Sequence, residues 1–551
     1  MYIDIGNPIE RTESAYDFPL LLKQLWISPL ANAPDQVIVY RDQQRFTYRE
    51  TWARLGRLAS SLTGIGVGPG MTVAVMDWDS HRYLECFFAI PMMGCVLQTV
   101  NVRLSPEQVL YTLNQAEADV ILVHHEFLPL LAGIRGRLEK PVKAILIRDG
   151  ASEPTAGDAA FVGEYEALLA AASADYDFPD FDENTRATTF FTTGTTGVPK
   201  GCYYSHRQLV LHTMAIAGWF GTAPAQGRIH REDVYMPITP MFHVHAWGVP
   251  YAATLLGLKQ VYPGRYDAAL MLKLIRDEGV TFSHCVPTLL QMLLSHPDAA
   301  HIDLSKLKMV IGGSALPQGL CRMALERGID VFTGYGMSET APIQAVMHLS
   351  RAEMAGDVDS QVALRVRTGQ AFMLCDVRIV DEEMRGQAHD GQAQGEVVFR
   401  SPWLTQGYLS QPGASRDLWR GGYLHSGDIG SIDAAGRLQI RDRLKDVIKT
   451  GGEWVSSLAL EDLISRMAGV AEVAVIGVPD PKWGERPLAL VVPRSGATLE
   501  PQAIRRQLMD LAGTGDIPTY MVPGQIRIVE ALAKTSVGKL DKKALRSTYG
   551  T

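Results

Sequence analysis

Cysteine is scarce in this sequence, and the few cysteines lie far apart. The 551 residues include six, none of them in a CxxC pair, and no histidine cluster at zinc-finger spacing accompanies them. Cysteines and histidines at such short spacings are the usual sign of a structural zinc site. Their absence argues against a zinc module and indicates reduced, mostly packed thiols in a cytoplasmic protein.

Long hydrophobic runs are missing as well. The longest, residues 86–97, is interrupted by Pro91 and Gly94 and is shorter than the roughly 18 to 20 residues that a membrane-spanning helix needs. The amino terminus carries Asp4 and no basic start followed by an apolar stretch, so a secretory signal peptide is not indicated. We expect neither export nor an integral membrane segment.

The sequence also lacks an excess of positive charge. Its formal net charge is −8, the opposite of the basic surface that binding to a phosphate backbone favours. Nucleic acid is therefore excluded as the main partner, although a local basic pocket could still hold a small anion. Apolar residues make up 46% of the chain and charged residues 20%, which argues against disorder and allows a large buried core.

Short runs of β-branched residues alternate with longer segments of helical period. Such alternation favours α/β layers with largely parallel sheets. A small-residue stretch at residues 151–174 predicts a surface excursion. The clearest predicted strands are residues 72–75, 120–123, 144–147 and 309–311, and the clearest predicted helices are residues 105–115 and 317–327.

A dense charge run marks the predicted domain boundary. It covers residues 441–446, where a hinge or linker is expected between apolar strands. The predicted strands and helices that follow this charge run in the chain are enough to form a small α+β domain. We therefore divide the chain into an N-terminal domain (residues 1–441), a hinge (442–447) and a C-terminal domain (448–551).

The most informative segment is a loop of threonines and glycines between a predicted strand at residues 188–191 and a predicted helix from His206. Glycines let backbone N–H groups turn toward an anion, threonine hydroxyls add donors, and a lysine supplies positive charge. A Walker A loop has Ser or Thr after its Gly-Lys, whereas Pro199 precedes and Gly201 follows the lysine here. We predict a phosphate cradle, with a mobile surface loop as the alternative. Its residues are Thr192, Thr193, Gly194, Thr195, Thr196, Gly197 and Lys200.

This loop and the motifs that follow it resemble those of the adenylate-forming superfamily of acyl-CoA synthetases, nonribosomal-peptide adenylation domains and luciferases. The resemblance covers most of the chain and implies an α/β fold: a large N-terminal domain of two α/β subdomains plus a small β-barrel-like subdomain, then a small mobile α+β C-terminal domain. The motifs occur in family order at residues 192–201, 312–315, 335–340, 426–428, 442–446, 451–453 and 534–539.

The resemblance implies a site that activates a carboxylic acid with ATP and Mg²⁺. Joining a carboxylate to ATP brings an anion up to a polyanion, so the site must neutralise charge. Thr340 would bond the α-phosphate, Glu339 and Thr193 would hold Mg²⁺, and the rest of the cradle, with Lys200, would hold the β- and γ-phosphates. Taken alone, Glu339 and Asp428 would each also fit a solvated acidic residue in a turn. The adenosine would contact Gly313, Ser314, Tyr335, Gly336, Met337, Ser338, Asp428 and Arg443.

The resemblance also implies a second half-reaction with CoA. Lys539 would reach the substrate carboxylate and the α-phosphate during adenylation. The C-terminal domain would then rotate about Lys445, and the loop of Gly451, Gly452 and Glu453 would approach a pantetheine tunnel. The CoA thiol would attack the mixed anhydride and expel AMP. Without the resemblance, both lysines are typical of a solvated surface, and the two glycines of a β-turn.

The identity of the acid is left open between related groups. Residues 240–248 resemble the motif beside the acyl pocket of medium- and long-chain fatty acyl-CoA synthetases. His243 would flank the carboxylate, Trp247 would gate a lipid tunnel, and Gly312 and Gly336 would complete the pocket. Judged without the family, this histidine and tryptophan are more typical of a core. The same motif, with residues 101–104, is also similar to methylmercaptopropionate-CoA ligases. A medium-chain fatty acid is our first choice, a long-chain acid the second, and a short thioether or branched acid the third.

Other classes of protein share the fold that the resemblance implies. A stand-alone adenylating enzyme would serve a separate carrier protein, a luciferase-like oxygenase would consume the adenylate, and a regulator would only bind it. Retention of Lys200, Glu339, Asp428 and Lys539 together argues against a regulator. We predict an AMP-forming acyl-CoA synthetase that uses ATP, Mg²⁺ and CoA, and a homodimer is compatible with the family.

Overall fold

The computed structural model describes residues 6, 9–150, 161–192, 198–450, 453–515, 517–535 and 539–550, without the side chain of residue 454. Its first two strands, β1 (Val37–Tyr40) and β2 (Gln44–Thr47), form an antiparallel hairpin at the edge of the largest sheet. The six cysteines are free, and all but Cys375 are buried. The expectation of mostly packed, unpaired thiols is therefore confirmed.

The next seven strands form a sheet of their own. Within the described residues its order is 7-6-5-3-4-8-9, and every neighbouring pair is parallel except the hairpin of the last two strands. The strands are β3 (Thr72–Met76), β4 (Val96–Thr99), β5 (Ala118–His124), β6 (Lys143–Ile147), β7 (Gly163–Glu164), β8 (Arg186–Phe191) and β9 (Gly201–Ser205).

The largest sheet has a parallel half and an antiparallel half. The parallel half contains β1 and the strands β10 (Val234–Pro237), β11 (Lys259–Tyr262), β12 (Phe282–Cys285), β13 (Lys308–Ile311) and β14 (Asp330–Gly336). The antiparallel half corresponds to the small β-barrel-like subdomain that the resemblance implies for the N-terminal domain. It continues from β14 through β15 (Ile343–Val346), β16 (Gly369–Ala371), β17 (Asp376–Val380), β18 (Gly395–Arg400), β19 (Trp419–Arg420), β20 (Tyr423–Ile432) and β21 (Arg437–Arg443).

The remaining strands form a separate small sheet with its own apolar core. They are β22 (Ile448–Thr450), β23 (Glu453–Val455), β24 (Val470–Asp480), β25 (Gly484–Pro493) and β26 (Gln525–Ile528). The side chains of Ile448, Leu460, Val475, Val491 and Leu508 pack together in this core. The predicted class, a large N-terminal α/β domain and a small C-terminal domain, is thereby confirmed.

Helices cover the sheets, and side-chain caps define where several of them begin. Thr47 and Glu50 form a capping box at one helix, and Ser205 and Gln208 form another at the helix that follows β9. The described helices are Ile27–Asn32, Tyr48–Gly64, His81–Met92, Pro106–Gln115, Leu128–Ile134, Tyr165–Ala171, His206–Thr222, Val249–Leu256, Ala268–Glu278, Pro287–Ser295, Gln318–Glu326, Arg351–Met354, Val358–Arg365, Pro412–Leu418, Ser457–Ser465, Pro501–Gly513 and Lys542–Tyr549. Short 3₁₀ turns cover Leu22–Trp26, His125–Phe127, Arg135–Arg137, Pro297–His301, Ser338–Thr340 and Thr519–Met521.

The long apolar run of the sequence, residues 86–97, begins in a fully buried helix and ends in strand β4. Every residue of His81–Met92 is buried, including Glu85, which accepts hydrogen bonds from Arg54 and from the Tyr165 hydroxyl at 2.6 Å. Tyr165 lies in the predicted surface excursion. The part of that excursion at residues 163–171 is instead an edge strand and a packed helix, so the prediction was wrong there, and residues 151–160 lie outside the described residues. Among the described residues, no helix is both long and apolar enough to cross a membrane.

Candidate active site

The base of the predicted phosphate cradle is a β-hairpin. Strands β8 and β9 are antiparallel, and the Thr192 N–H donates to the Lys200 carbonyl at 2.8 Å while the Lys200 N–H donates to the Thr192 hydroxyl at 3.3 Å. Thr193, Gly194, Thr195, Thr196 and Gly197 lie outside the described residues. The hairpin thus brings Lys200 to the point where the loop closes, and the Lys200 amine lies 4.6 Å from the ring centre of Tyr408.

Glycines lie at the carboxyl ends of two neighbouring parallel strands, β13 and β14: Gly312 follows β13, and Gly336 is the last residue of β14. A Cβ atom on Gly312 would lie 2.8 Å from the Gly334 carbonyl oxygen, and one on Gly336 only 1.7 Å from the Pro342 carbonyl oxygen. Contacts below 3 Å leave no room for a side chain, so both positions require glycine. This edge of the sheet is where open α/β folds bind their ligands. Ser314, next to Gly313, is exposed.

Glu339 follows β14 and is nearly fully buried. Its Oε1 accepts a hydrogen bond from the Tyr408 hydroxyl at 2.7 Å. Burial raises the pKa of this carboxyl, while the Tyr408 hydrogen bond and the positive charges of Lys200 and Arg443 oppose the rise. The site therefore holds a carboxylate beside cations, as a centre for charged ligands requires.

Thr340 occupies a different environment from the one expected of a phosphate ligand. Its side chain is fully buried, and its hydroxyl accepts from the Met337 N–H at 3.0 Å and donates to the Pro342 carbonyl. These bonds shape the turn behind Gly336. A contact between the Thr340 hydroxyl and the α-phosphate stays a prediction.

Asp428 and Tyr335 meet across the site. The Tyr335 hydroxyl donates to Asp428 Oδ2 at 2.6 Å, and Arg443 lies directly opposite Asp428 in the pairing of β20 with β21. The Arg443 Nε lies 3.6 Å from Asp428 Oδ1. Burial raises the pKa of Asp428, and Arg443 is the strongest opposing influence. Three of the predicted adenosine residues, Tyr335, Asp428 and Arg443, are thus brought together.

Lys539 comes from the C-terminal domain and enters this same site. Its Nζ lies 3.7 Å, and its Cε 3.1 Å, from the position that a Cβ atom on Gly313 would occupy. Burial and the charge of Arg443 lower the pKa of Lys539 to about 8, and the charges of Asp428 and Glu339 oppose the shift. A backbone hydrogen bond from Thr535 to the Lys539 carbonyl, 2.7 Å long, closes the hairpin that carries it.

The segment that carries His243 and Trp247 has an unusual backbone. Four non-glycine residues, Val244–Trp247, have φ between 46° and 59°, and Gly248 follows at 75°. Left-handed backbone costs an L-residue about 1–2 kcal/mol, so the surroundings must hold this turn. His245 holds the turn through two contacts: its Nε2 lies 2.8 Å from the Thr188 hydroxyl, and its ring packs edge-on against Phe190.

The two predicted pocket residues lie at the ends of this left-handed turn. Trp247, its last residue, contacts Gly312, and His243, just before it, is influenced by the charge of Lys539. Trp247 packs over Gly312, because a Cβ atom there would lie 3.0 Å from the indole Cη2. Burial and the charge of Lys539 lower the pKa of His243 to about 3, so its imidazole is neutral near pH 7. The site therefore joins an aromatic wall to a cluster of charges.

Other predicted residues lie outside this cluster. Glu453 is exposed on β23, and Gly451 and Gly452 lie outside the described residues. Lys445 is in the turn between β21 and β22, where burial and the charge of Arg443 lower its pKa. These assignments, like the roles given to the other site residues and the domain limits, stay predictions.

Sequence reasoning missed two residues that the structure adds to the site. Tyr408 links Glu339 and Lys200, and His284 packs against Trp247 with ring centres 4.9 Å apart. Neither has a sequence signal of its own. Tyr408 follows Gly407 in an ordinary loop, and His284 lies in the middle of the buried strand β12, where a lone histidine is typical of a core.

A hairpin that places Lys200 at the end of the predicted phosphate loop, a buried carboxyl group near a lysine and an arginine, and a second lysine from a small domain are features expected of a nucleotide-dependent enzyme. Comparison with known families agrees. The family "AMP-binding enzyme" matches residues 28–409, and "AMP-binding enzyme C-terminal domain" matches residues 459–539. The chain belongs to this family, as the resemblance predicted.

Three of its relatives are named as CoA ligases. The chain is 40% identical to the long-chain-fatty-acid–CoA ligase of Thermus thermophilus, over 92% of this chain and 90% of the relative. It is 35% identical to the 3-methylmercaptopropionyl-CoA ligase of Ruegeria lacuscaerulensis, over 92% of each chain. It is 34% identical to the medium-chain-fatty-acid–CoA ligase of Ectopseudomonas oleovorans, over 92% and 91%. The protein is an AMP-forming acyl-CoA ligase, as predicted.

A solved structure has the same fold. The anthranilate CoA ligase AuaEII, in complex with anthranoyl-AMP, matches with a TM-score of 0.84 and 25% identity, over 97% of this chain and 98% of that one. The predicted adenylate-forming fold is therefore confirmed across both domains.

Proposed function

We propose that this ligase activates a fatty acid, with a medium-chain acid as first choice and a long-chain acid as second, through an acyl-AMP intermediate that it passes to CoA. The observation that carries the proposal is the position of Lys539 beside Gly313, one residue from the glycine that Trp247 covers. A carboxylate near the Lys539 amine would leave its chain against the indole. The fatty acid ligases among the relatives support the same choice.

In the first half-reaction, the carboxylate oxygen attacks the α-phosphorus of ATP and pyrophosphate leaves with the electron pair of the broken P–O bond. Both reactants are anions, so the barrier falls when fixed cations face them. Lys539 and Arg443 would face the carboxylate and the α-phosphate, and Lys200 would face the leaving pyrophosphate. Asp428 would accept hydrogen bonds from the ribose and hold the nucleotide in line.

The residues present fit a magnesium ion. Glu339 offers a carboxylate in a buried position next to Lys200, and carboxylate and phosphate oxygens are the ligands that Mg²⁺ prefers. Glu339, with the threonines of the loop, would hold the ion. When bound, Mg²⁺ would neutralise phosphate charge. Tyr408 would keep the Glu339 carboxylate turned toward the site through its 2.7 Å hydrogen bond.

In the second half-reaction, the CoA thiol attacks the acyl carbon and AMP leaves. Lys539 occupies the site in this structure, so the C-terminal domain has to move for CoA to reach the same carbon. Such a rotation about Lys445 would break contacts that cross the proposed hinge. The Ser457 N–H and hydroxyl donate to Asp442 Oδ2 at 2.6 and 2.7 Å, and Asp442 lies on β21, before Lys445 in the chain.

The test of the function is product analysis by mass spectrometry. Purified protein, ATP and Mg²⁺ are incubated with acids from acetate to palmitate, methylmercaptopropionate and benzoate, with and without CoA. Acyl-CoA and AMP are expected only when CoA is present, with fatty acids ahead of the rest. Methylmercaptopropionate ranking first would select the alternative that the Ruegeria relative favours. Acyl-AMP that accumulates unchanged by CoA would point to an adenylating enzyme for a carrier protein and contradict the proposal.

The rate of adenylation should depend on the protonation of Lys539. The amine is charged below its pKa of about 8 and neutral above it, so kcat/KM for ATP, which follows the free enzyme, should be level below pH 8. Above that pH it should fall by about tenfold per pH unit. ATP–pyrophosphate exchange without CoA measures this without interference from the CoA thiol.

Lys539→Arg is the control for this pH profile, because arginine stays charged throughout the range. Its remaining activity should lack the fall above pH 8. The same fall in both proteins would assign it to another group, and a level wild-type profile up to pH 9.5 would contradict the role of Lys539.

A further inference from the structure

Trp247 has a defined seat made by two neighbours. The indole rests on Gly312, where no side chain fits, and its ring lies 4.9 Å from the imidazole of His284, tilted by 32°. His284 is fully buried on β12, whereas Trp247 keeps a small exposed fraction. His284 therefore stands behind the indole, on the side away from the open site.

His284 is itself locked in place. The Thr239 hydroxyl donates its proton to the His284 carbonyl at 3.2 Å. The oxygen of that hydroxyl can therefore only accept from the His284 ring, whose Nδ1 lies 3.1 Å away and donates its N–H. The Nε2 then accepts from the Tyr235 hydroxyl at 2.8 Å. Burial lowers the pKa of His284 to about 3, which keeps this neutral form near pH 7. Each nitrogen of the ring thus has one partner, and the ring cannot turn without losing both bonds.

From these contacts we infer that His284 is a positioning residue that holds the indole of Trp247 across the acyl pocket and thereby limits the chain length of the acid. The inference rests on the proposed function, because it assumes an acyl chain beside Trp247. Protein interiors are close-packed, so an indole moves aside only into space that another group vacates. A small residue at position 284 would vacate that space, and the indole could then tilt away from Gly312 and admit a longer chain.

The experiment compares adenylation of octanoate and hexadecanoate by ATP–pyrophosphate exchange, without CoA, below the concentrations at which hexadecanoate forms micelles. For His284→Ala, we expect the ratio of hexadecanoate to octanoate kcat/KM to rise by about tenfold, the lower end of what pocket shape achieves in selecting apolar chains. His284→Phe keeps an aromatic ring behind the indole, so its ratio should stay within about threefold of wild type. A change in both variants alike would indicate general damage and overturn the inference.

A double-substitution cycle tests whether His284 acts through Trp247. Trp247→Ala should raise the same ratio, and adding His284→Ala to it should change the ratio by less than about twofold, because the two residues form one unit. Independent, multiplying effects would overturn the inference, as would a ratio unchanged in His284→Ala. If His284→Ala does not fold, His284→Val, which also leaves a smaller side chain behind the indole, should move the ratio in the same direction.

The outcomes separate this inference from the proposed function. Exchange that occurs with both acids but shows the same ratio in every variant overturns the inference alone. The expected ratios without acyl-CoA formation on addition of CoA would support the inference and contradict the CoA half of the function. Failure of the wild-type protein to exchange with either acid would overturn both.

Discussion

Replacing Lys539 with alanine is expected to slow acyl-AMP formation by about a thousandfold, the upper range for losing one preorganised charged donor. The amine lies in the site next to Gly313 and shares it with Asp428 and Arg443. Without it, a cation that faces both anionic reactants is lost. The thioester half-reaction should be spared, because in the mechanism that we propose Lys539 leaves the site before CoA attacks. Rapid-quench measurement of acyl-AMP from acid and ATP, alongside acyl-CoA formation from synthetic acyl-AMP, separates the two steps.

Lys534→Ala is the matched control for this experiment. Lys534 belongs to the same hairpin, but it is exposed and its amine pairs with Glu472 at 2.9 Å on the surface of the C-terminal domain. Both half-reactions should proceed at nearly the wild-type rate in this variant. Equal loss of both half-reactions in Lys539→Ala would contradict the role assigned to Lys539, since it would indicate damage to the C-terminal domain as a whole.

Asp428→Ala is expected to weaken ATP binding by about 10- to 150-fold, which corresponds to the roughly 1.5–3 kcal/mol of a hydrogen bond to a charged group. Asp428 would bond the ribose, and it also orients Tyr335 through a 2.6 Å hydrogen bond and faces Arg443. Removing it takes away the acceptor that the ribose would use and the partner that orients Tyr335. Isothermal titration with ATP in the absence of acid measures the loss directly.

Two further variants define what the Asp428 result means. Asp428→Asn keeps an oxygen acceptor without the charge and should lie between wild type and alanine. Asp417→Ala removes an exposed aspartate from the helix Pro412–Leu418 and should leave ATP binding unchanged. Wild-type affinity in Asp428→Ala would show that the ribose is held elsewhere.

The layered fold could be predicted because its signals are local. The predicted strands at residues 72–75, 120–123, 144–147 and 309–311 all lie inside observed strands of the two parallel regions. A strand buried on both faces has to be apolar along its length, and that pattern is visible in one segment at a time. The helix His81–Met92 shows the same principle, since its apolar run reflects burial on every side.

The arrangement inside the site could be predicted only in part. The motifs identified Lys200, Glu339, Asp428 and Lys539, and the structure brings these side chains into one region because the strand ends and the C-terminal hairpin converge there. Tyr408 was missed because its contact with Glu339 depends on how two distant loops pack, and neither loop records the other in its own sequence. Thr340 has a structural role that its motif did not indicate. A hydroxyl in a motif suggests a ligand contact, yet the turn uses that hydroxyl for its own backbone.

The left-handed turn at Val244–Trp247 places thermostability and selectivity in opposition. Glycine adopts positive φ at no steric cost, so glycine at these positions would relieve strain of about 1–2 kcal/mol each. Yet glycine at position 245 would remove the imidazole that anchors the turn, and glycine at position 247 would remove the indole that covers Gly312. An engineer who screened variants of this ligase only for heat resistance would be drawn to this segment, and the gains made there would come from the part of the enzyme that we propose distinguishes one acid from another.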